Sequence, residues 1–227
     1  MSRPLVIVAV PHHHGEVNVA LLKSLLALDR TDFDLGFADS ANAEVAINRN
    51  ILVQKFLEHP AKPTHLFFVD SDMGIPPHSV KKLLAADKPI ISGVAVQKFT
   101  NLWVAKQWGN LWGGFHTVQV ELCPRVPVTE AHWVILDEFK DKVIPIGATG
   151  AACLMITREV LEKTPYPWFY NEFNPNATKH ESMSFMSEDI SFCYKANQHG
   201  FGTYLHTGVL CDHYAGLKKF PPFWEQP

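Results

Sequence analysis

Two aspartates separated by one serine, Asp70-Ser71-Asp72, follow the apolar run Leu66-Phe67-Phe68-Val69. In an extended chain, residues two apart point the same way, so both carboxylates are expected to leave one end of a buried strand together. Like charges placed so close repel unless a cation or hydrogen bonds offset them. A hard divalent cation, Mn2+ or Mg2+, suits carboxylate oxygens and commonly takes substrate phosphates as further ligands. The same three residues, standing ahead of Gly74-Ile75-Pro76-Pro77, also fit a plain acidic turn.

Three other groups of residues bear on that chemistry. Glu188 and Asp189, in Ser187-Glu188-Asp189-Ile190, fall at the start of an expected helix, where the macrodipole favours acids. One of them could also serve as a carboxylate that deprotonates an acceptor hydroxyl. His213, in Cys211-Asp212-His213-Tyr214, follows a strand-like run, and its imidazole could complete a metal shell. Arg49 shares a stripe at helical spacing with Val45, Leu52, Val53 and Phe56, while Ile47 and Ile51 fall on the opposite side. A guanidinium among apolar residues is costly unless paired. Arg49 is therefore expected to reach a nucleotide or one of the site's carboxylates.

The elements that must position these groups alternate between strand and helix through the first half. Strands are expected over 5–10, 33–38, 65–69 and 89–96, and helices over 16–28, 43–58 and 78–86. The stripe of the first helix is Val17, Leu21, Leu25 and Leu28. This alternation predicts an α/β fold with a mostly parallel central sheet flanked by helices. Ligands in such sheets bind beyond the carboxyl ends of the strands, which is where Asp70 and Asp72 lie.

The segment 97–145 reads as irregular, with a possible hairpin. Regular structure returns as a strand over 151–157, a helix over 158–163 and a loop over 165–180. Ser187 is then expected to cap a helix over 188–199 that Gly200 closes, and strands follow over 201–206 and 209–214. We read the 227 residues as one domain in three stretches, 1–96, 97–145 and 146–227.

Composition narrows the class. Hydrophobic residues make up 47% and charged residues 19%, the proportions of a compact globular chain. A net charge of −3 weighs mildly against binding nucleic acid through its phosphates. No apolar run approaches the ~18 residues of a membrane span. The four cysteines, Cys123, Cys153, Cys193 and Cys211, form no CxxC pair and are expected to be reduced thiols, which fits a cytoplasmic setting. Neither GxGxxG nor GxxxxGK[ST] occurs, which disfavours dehydrogenases and P-loop enzymes. Adjacent side chains diverge in an extended segment, so His12-His13-His14 is a poor zinc site and is better placed lining a nucleotide pocket. Trp103, Trp108 and Trp112 could stack on sugars or bases, with Lys98 and Lys106 near enough to meet a phosphate.

Taken in order, the motifs resemble the GT-A class of glycosyltransferases, in particular its small family-2-like phage or bacterial type with a DSD motif. The resemblance rests on Phe67-Phe68-Val69-Asp70-Ser71-Asp72-Met73 and on the run from Gly150 to Val160. Pro167-Trp168-Phe169, Ser187-Glu188-Asp189-Ile190-Ser191-Phe192-Cys193 and His213 follow in the same order, and Asn48-Arg49-Asn50 is similar to a short Arg-Asn motif of that type.

The resemblance implies a GT-A (Rossmann-like) fold and a metal-dependent glycosyltransferase. The donor would be a nucleoside-diphosphate sugar of UDP or GDP type, and Mn2+ or Mg2+ would offset charge on the leaving diphosphate. It further implies that Asp72 and His213 hold the metal, and that Asp70 contacts either the ribose or the metal, directly or through water. Ser71 and Arg49 would join the donor grip, with Pro11 and either Asp39 or Ser40 nearing the nucleoside. Asp189, or else Glu188, would act as base if the anomeric centre inverts. Trp168 joins Trp103, Trp108 and Trp112 as acceptor-side candidates. The acceptor would be a hydroxyl on a glycan, lipid-linked glycan or protein, or on a hydroxylated base in phage DNA, in a bacterial or phage-infected cell. A sugar nucleotidyltransferase, a non-catalytic nucleotide-sugar-binding module and, last, a zinc hydrolase are the other readings.

Overall fold

A computed structural model describes residues 3–13, 15–95, 104–107, 118–121, 141–173, 185–215 and 218–220. The first buried strand, β1 (Leu5–His12), is longer than its apolar run because it pairs in parallel along the whole of β2 (Asp34–Ala41). That pairing carries β2 past the expected end at 38, so Asp39 and Ser40 belong to the strand and not to a following loop.

The helix between them, α1 (Val19–Leu26), is shorter than expected. Asn18 caps it, its side-chain oxygen accepting from the Ala20 N–H at 2.8 Å, which leaves Val17 outside the helix and exposed. The next helix, α2 (Val45–Glu58), buries Asn48, Arg49, Leu52, Val53 and Phe56 and turns Ile47 and Ile51 outward, as the stripe required.

After β3 (His65–Val69) the chain forms a two-residue strand, β4 (Met73–Gly74), then α3 (Ser79–Ala85) and β5 (Ile90–Ala95). The middle segment contributes a hairpin of β6 (Val104–Gln107) and β7 (Val118–Glu121), followed by β8 (Val143–Ile146). Then come β9 (Cys153–Thr157), α4 (Arg158–Lys163), the short antiparallel pair β10 (Glu172–Phe173) and β11 (Phe185–Met186), and α5 (Glu188–Gln198). Gly200 follows α5 with φ +87°. The N–H of Phe201 bonds to Ala196 O and that of Gly200 to Asn197 O, closing the helix with a Schellman turn.

The strands expected over 201–206 and 209–214 are one strand, β12 (Thr203–Ala215), which pairs at its end with β13 (Lys218–Phe220). The interruption is a register shift against β5 between His206 and Leu210, while the Thr207 N–H bonds to Lys142 O and prolongs the pairing with β8. Val209 folds back over β5 at this bulge. A Cβ on Gly93 would lie 2.7 Å from the Val209 side chain and 3.0 Å from Cys153 Sγ, so no larger residue fits there.

Among the described residues the main sheet has nine strands, with the path β13-β12-β5-β9-β3-β1-β2 and with β4 and β8 also paired to β12. It draws on strands from both residues 5–95 and residues 143–220. β2, β1, β3, β5 and β12 run one way, and β9 is inserted antiparallel between β3 and β5. Alternate residues feed two cores. Ile7, Ala9, Phe68 and Leu154 pack under α2, α4 and α5, whereas Val8, Phe67, Met155 and Ile91 pack with Leu21 of α1 and Leu83 of α3. Cys153, Cys193 and Cys211 are buried free thiols, and burial pushes the Cys193 thiol up to about 12. Among the described residues no helix is long and apolar enough to cross a membrane.

One polar residue ties the loop after α4 to the frame. Asn50 accepts from the Trp168 and Phe169 N–H groups at 3.0 and 3.2 Å and donates to Phe169 O at 2.6 Å. Substituting Asn50→Ala is expected to leave these backbone groups unsatisfied and to lower stability by ~2 kcal/mol. A denaturant midpoint unchanged from wild type would show that the loop is held by packing alone.

Candidate functional site

The candidate residues meet beyond the carboxyl end of β3. The strand stops at Val69, and Asp70 to Met73 form a turn in which the Met73 N–H bonds to Asp70 O at 3.1 Å. This turn corrects the expectation that both carboxylates project together, since the alternation of an extended strand does not survive past Val69. Asp70 turns toward α2, while Asp72 turns toward β12. The intervening Ser71 accepts from the Asn18 N–H at 2.8 Å, fastening the turn to the cap of α1.

Arg49 is 3% exposed and is the hub of the site. Its Nη2 donates to Asp70 Oδ1 at 3.1 Å, its Nε to Glu188 Oε1 at 3.3 Å and its Nη1 to Ala151 O at 3.3 Å. Its guanidinium carbon lies 5.4 Å from the centre of the Phe68 ring and 5.9 Å from that of Phe169. The planar fork therefore joins α2, the turn after β3, the loop before β9 and the start of α5. Lysine, with a single ammonium, cannot make these three directed bonds at once.

The two acids at the start of α5 have different surroundings. Glu188 is buried against Arg49. Burial first, then the Asp189 charge, push its pKa above the ordinary glutamate value, and Arg49 opposes them. Asp189 is more open. The Ser187 hydroxyl donates to Asp189 Oδ1, so Ser187 stands at the cap position but spends its side chain on this carboxylate and not on a backbone N–H. A Cβ on Gly150 would lie 3.5 Å from Asp189 Oδ2, so the loop before β9 runs right beside that oxygen.

His213 is far from Asp72 in the chain, and the β4–β12 ladder brings them together. His213 pairs with Met73, and the Tyr214 N–H bonds to Asp72 O at 2.9 Å. His213 Nε2 then lies 3.3 Å from Asp72 Oδ1. Carboxylate and imidazole are suitable donors for Mn2+ or Mg2+, so this pair fits a divalent ion. Asp70 gives its Oδ1 to Arg49 on the other side of the turn. Among the described residues no group of three His, Cys, Asp or Glu is set to hold a metal.

The ends of β1 and β2 form a second polar cluster. His12 Nε2 lies 3.1 Å from Asp39 Oδ2, and the Gly15 N–H donates to His12 Nδ1 at 3.2 Å. The Ser40 hydroxyl donates to Asn48 Oδ1 at 2.9 Å, and Asn48 Nδ2 donates to His12 O at 3.2 Å and Asn42 O at 3.1 Å. Ser40 is thus an internal strut, Pro11 is buried within β1, and Asp39 is the exposed group of the three nucleoside candidates. Trp168 is built into the frame, its indole N–H donating to Leu161 O at 2.9 Å. Trp103, Trp108, Trp112, Lys98 and His14 lie outside the described residues, and Lys106 falls within β6.

Sequence reasoning missed the clamp made by Asn50 and the strut made by Asn48. The signal was the triplet Asn48-Arg49-Asn50, three polar residues in succession on a helix that packs against the core.

No protein-family model matches the sequence, and no curated protein sequence matches it either. Solved structures do match in fold. A197 from STIV superimposes with a TM-score of 0.56 at 18% identity, over 92% of this chain and 85% of that one. GalNAc-T7, solved with UDP, GalNAc and Mn2+, superimposes with a TM-score of 0.54 at 14% identity, over 95% of this chain but only 44% of that one. The chain has the GT-A fold.

Proposed function

We propose that this protein is a metal-dependent glycosyltransferase that moves a sugar from a nucleoside-diphosphate sugar to a hydroxyl acceptor. One observation carries the reading. Arg49 joins Asp70 to Glu188, the neighbour of Asp189, and Asp72 meets His213, so that four separate stretches of chain meet around the turn after β3 in a GT-A fold. The UDP, GalNAc and Mn2+ of the GalNAc-T7 structure support the same ligand class here.

In this reading Asp72 and His213 would hold Mn2+ or Mg2+, which would supply positive charge to offset that on the leaving diphosphate. Asp70, oriented by Arg49, meets the donor ribose. Asp39 meets the base. In an inverting transfer Asp189 takes the proton from the acceptor hydroxyl as its oxygen bonds to the anomeric carbon and the bond from that carbon to the diphosphate breaks. Glu188 serves mainly to hold Arg49. The chain acts as one domain, with the segment 97–145, including Trp103, Trp108 and Trp112, on the acceptor side.

Calorimetry with UDP and GDP, with and without Mn2+, tests the reading directly. Metal-dependent binding is expected in the wild type and is expected to disappear in Asp72→Ala. Loss of a residue that merely supports a metal ligand costs ~10–100-fold in metal affinity, so loss of a ligand is expected to cost more. A wild type that binds neither nucleotide with metal would sink the proposal. Binding without any turnover of a nucleotide sugar would instead leave a nucleotide-sugar-binding module.

A further inference from the structure

Exposed large apolar side chains gather at one end of the sheet. Among the described residues there are eight, and seven lie on or next to three elements, α1, β2 and α2. Val17 leads into α1, and Val19, Leu22 and Leu26 form a stripe along its outer side. Phe37, 58% exposed, stands on β2, and Ile47 and Ile51 stand one turn apart on α2; Tyr166 alone is elsewhere. α1 also buries Leu21 on its inner side, and a helix apolar all round is normally covered. β2 itself is a sheet edge, pairing with β1 and, among the described residues, with nothing else. The N–H groups of Asp34 and Asn42, at its two ends, bond to Pro4 O and His12 O, so the even-numbered residues of β2 give their backbone groups to β1. Leu35, Phe37 and Asp39 therefore turn theirs to the open edge, a template for another strand.

Charge runs along this edge in one direction. At the Asp39 end, Lys55 Nζ donates to Asp39 O at 2.8 Å. At the other end Asp34, 61% exposed at its side chain, gives Oδ1 to Arg3 Nε at 3.1 Å and keeps Oδ2 for a second cation. A two-fold axis at Gly36 sets each of these cations beside the other copy's acid. In that antiparallel register Leu35 and the partner's Phe37 exchange N–H···O bonds, twice over by symmetry, and their side chains lie opposite each other. Asp34 faces Ala38, not another acid. Asp39 falls opposite the partner's Phe33, which brings Lys55 beside the partner's Asp34. A lipid surface offers the edge N–H and C=O groups no partner, whereas a second copy satisfies them and covers the apolar stripes as well. We propose that this protein forms a two-fold dimer in which β2 adds antiparallel to β2 of a second copy, with the exposed apolar residues of α1 and α2 flanking the seam.

Sedimentation velocity on the full chain over a concentration series tests this. The wild type is expected to pass from monomer to dimer as concentration rises. Phe37→Lys, which puts two cations at the centre of the seam, is expected to raise the dimer Kd ~100-fold. Tyr166→Lys, off the patch, is expected to leave it unchanged. Lys55→Glu and Asp34→Lys each set like charges together on both sides of the axis and are expected to raise the Kd ~10-fold. Mixed in equal amounts, those two variants are expected to regain dimerisation, because every contact across the seam is again lysine to acid. The mixing result decides the matter if Phe37→Lys does not fold. A wild type that stays monomeric throughout the series overturns the inference, and if that monomer then sediments with phosphatidylglycerol vesicles, the apolar patch belongs to a lipid surface. A dimer that survives Phe37→Lys, or charge variants that do not recover on mixing, overturns it too, since the copies then meet through another surface.

Discussion

Replacing Arg49 with methionine is expected to lower the unfolding free energy by about 3–5 kcal/mol near neutral pH, because it leaves two carboxylates facing each other without their cation. Methionine fills similar space beside Phe68 and Phe169, so the loss reports charge more than volume. The sign of its pH dependence follows from Glu188. Burial and Asp189 already raise the Glu188 pKa from 4.5, and Arg49 holds it down; in the variant it rises further. A carboxyl with a raised folded-state pKa holds its proton more tightly in the folded chain. Its stabilising contribution is fully present below the unfolded value and is lost as pH rises through the folded one. The deficit of Arg49→Met relative to wild type should therefore shrink as pH falls from neutral toward 4.5. Adding Glu188→Gln should recover part of it at neutral pH, because the uncompensated charge is then gone. A deficit that does not change with pH and is not relieved by Glu188→Gln would show that the guanidinium acts through packing, not charge.

The largest effect on turnover is expected from Asp189→Asn. The amide keeps the size of the side chain and an acceptor for the Ser187 hydroxyl, but it cannot take a proton. General-base catalysis is commonly worth 10²- to 10⁴-fold, so sugar transfer should fall by roughly that factor while nucleoside-diphosphate affinity stays near wild type. Glu188→Gln should behave differently, weakening the hold on Arg49 and lowering stability as well as rate. If Asp189→Asn transfers sugar at the wild-type rate and Glu188→Gln loses transfer at unchanged stability, the two acids exchange roles.

Much of this arrangement is legible in the residues. The run ending in Val69 marks a buried strand, and the stripe through Val45, Arg49, Leu52, Val53 and Phe56 marks the buried side of α2, because side-chain periodicity is a local property of strands and helices. A charged residue on that stripe demanded partners, and it has them. What failed did so where local rules stop. The i, i+2 argument for Asp70 and Asp72 assumed an extended chain, and a turn begins there. The split of β12 into two strands took Thr207-Gly208 as a break, although the chain resumes its pairing with β5 after the bulge and stays one strand.

The amino-acid sequence by itself determined which residues could do chemistry at this site, and the helix or strand that carries Arg49, Asp189 and His213, since type and spacing over a few residues settle both. Only the tertiary structure decided the company they keep. Nothing local places His213 beside Asp72 or points Asp39 at His12. Those pairings depend on the β4–β12 ladder and on the β1–β2 register, and both are contacts between segments that meet only when the sheet is assembled.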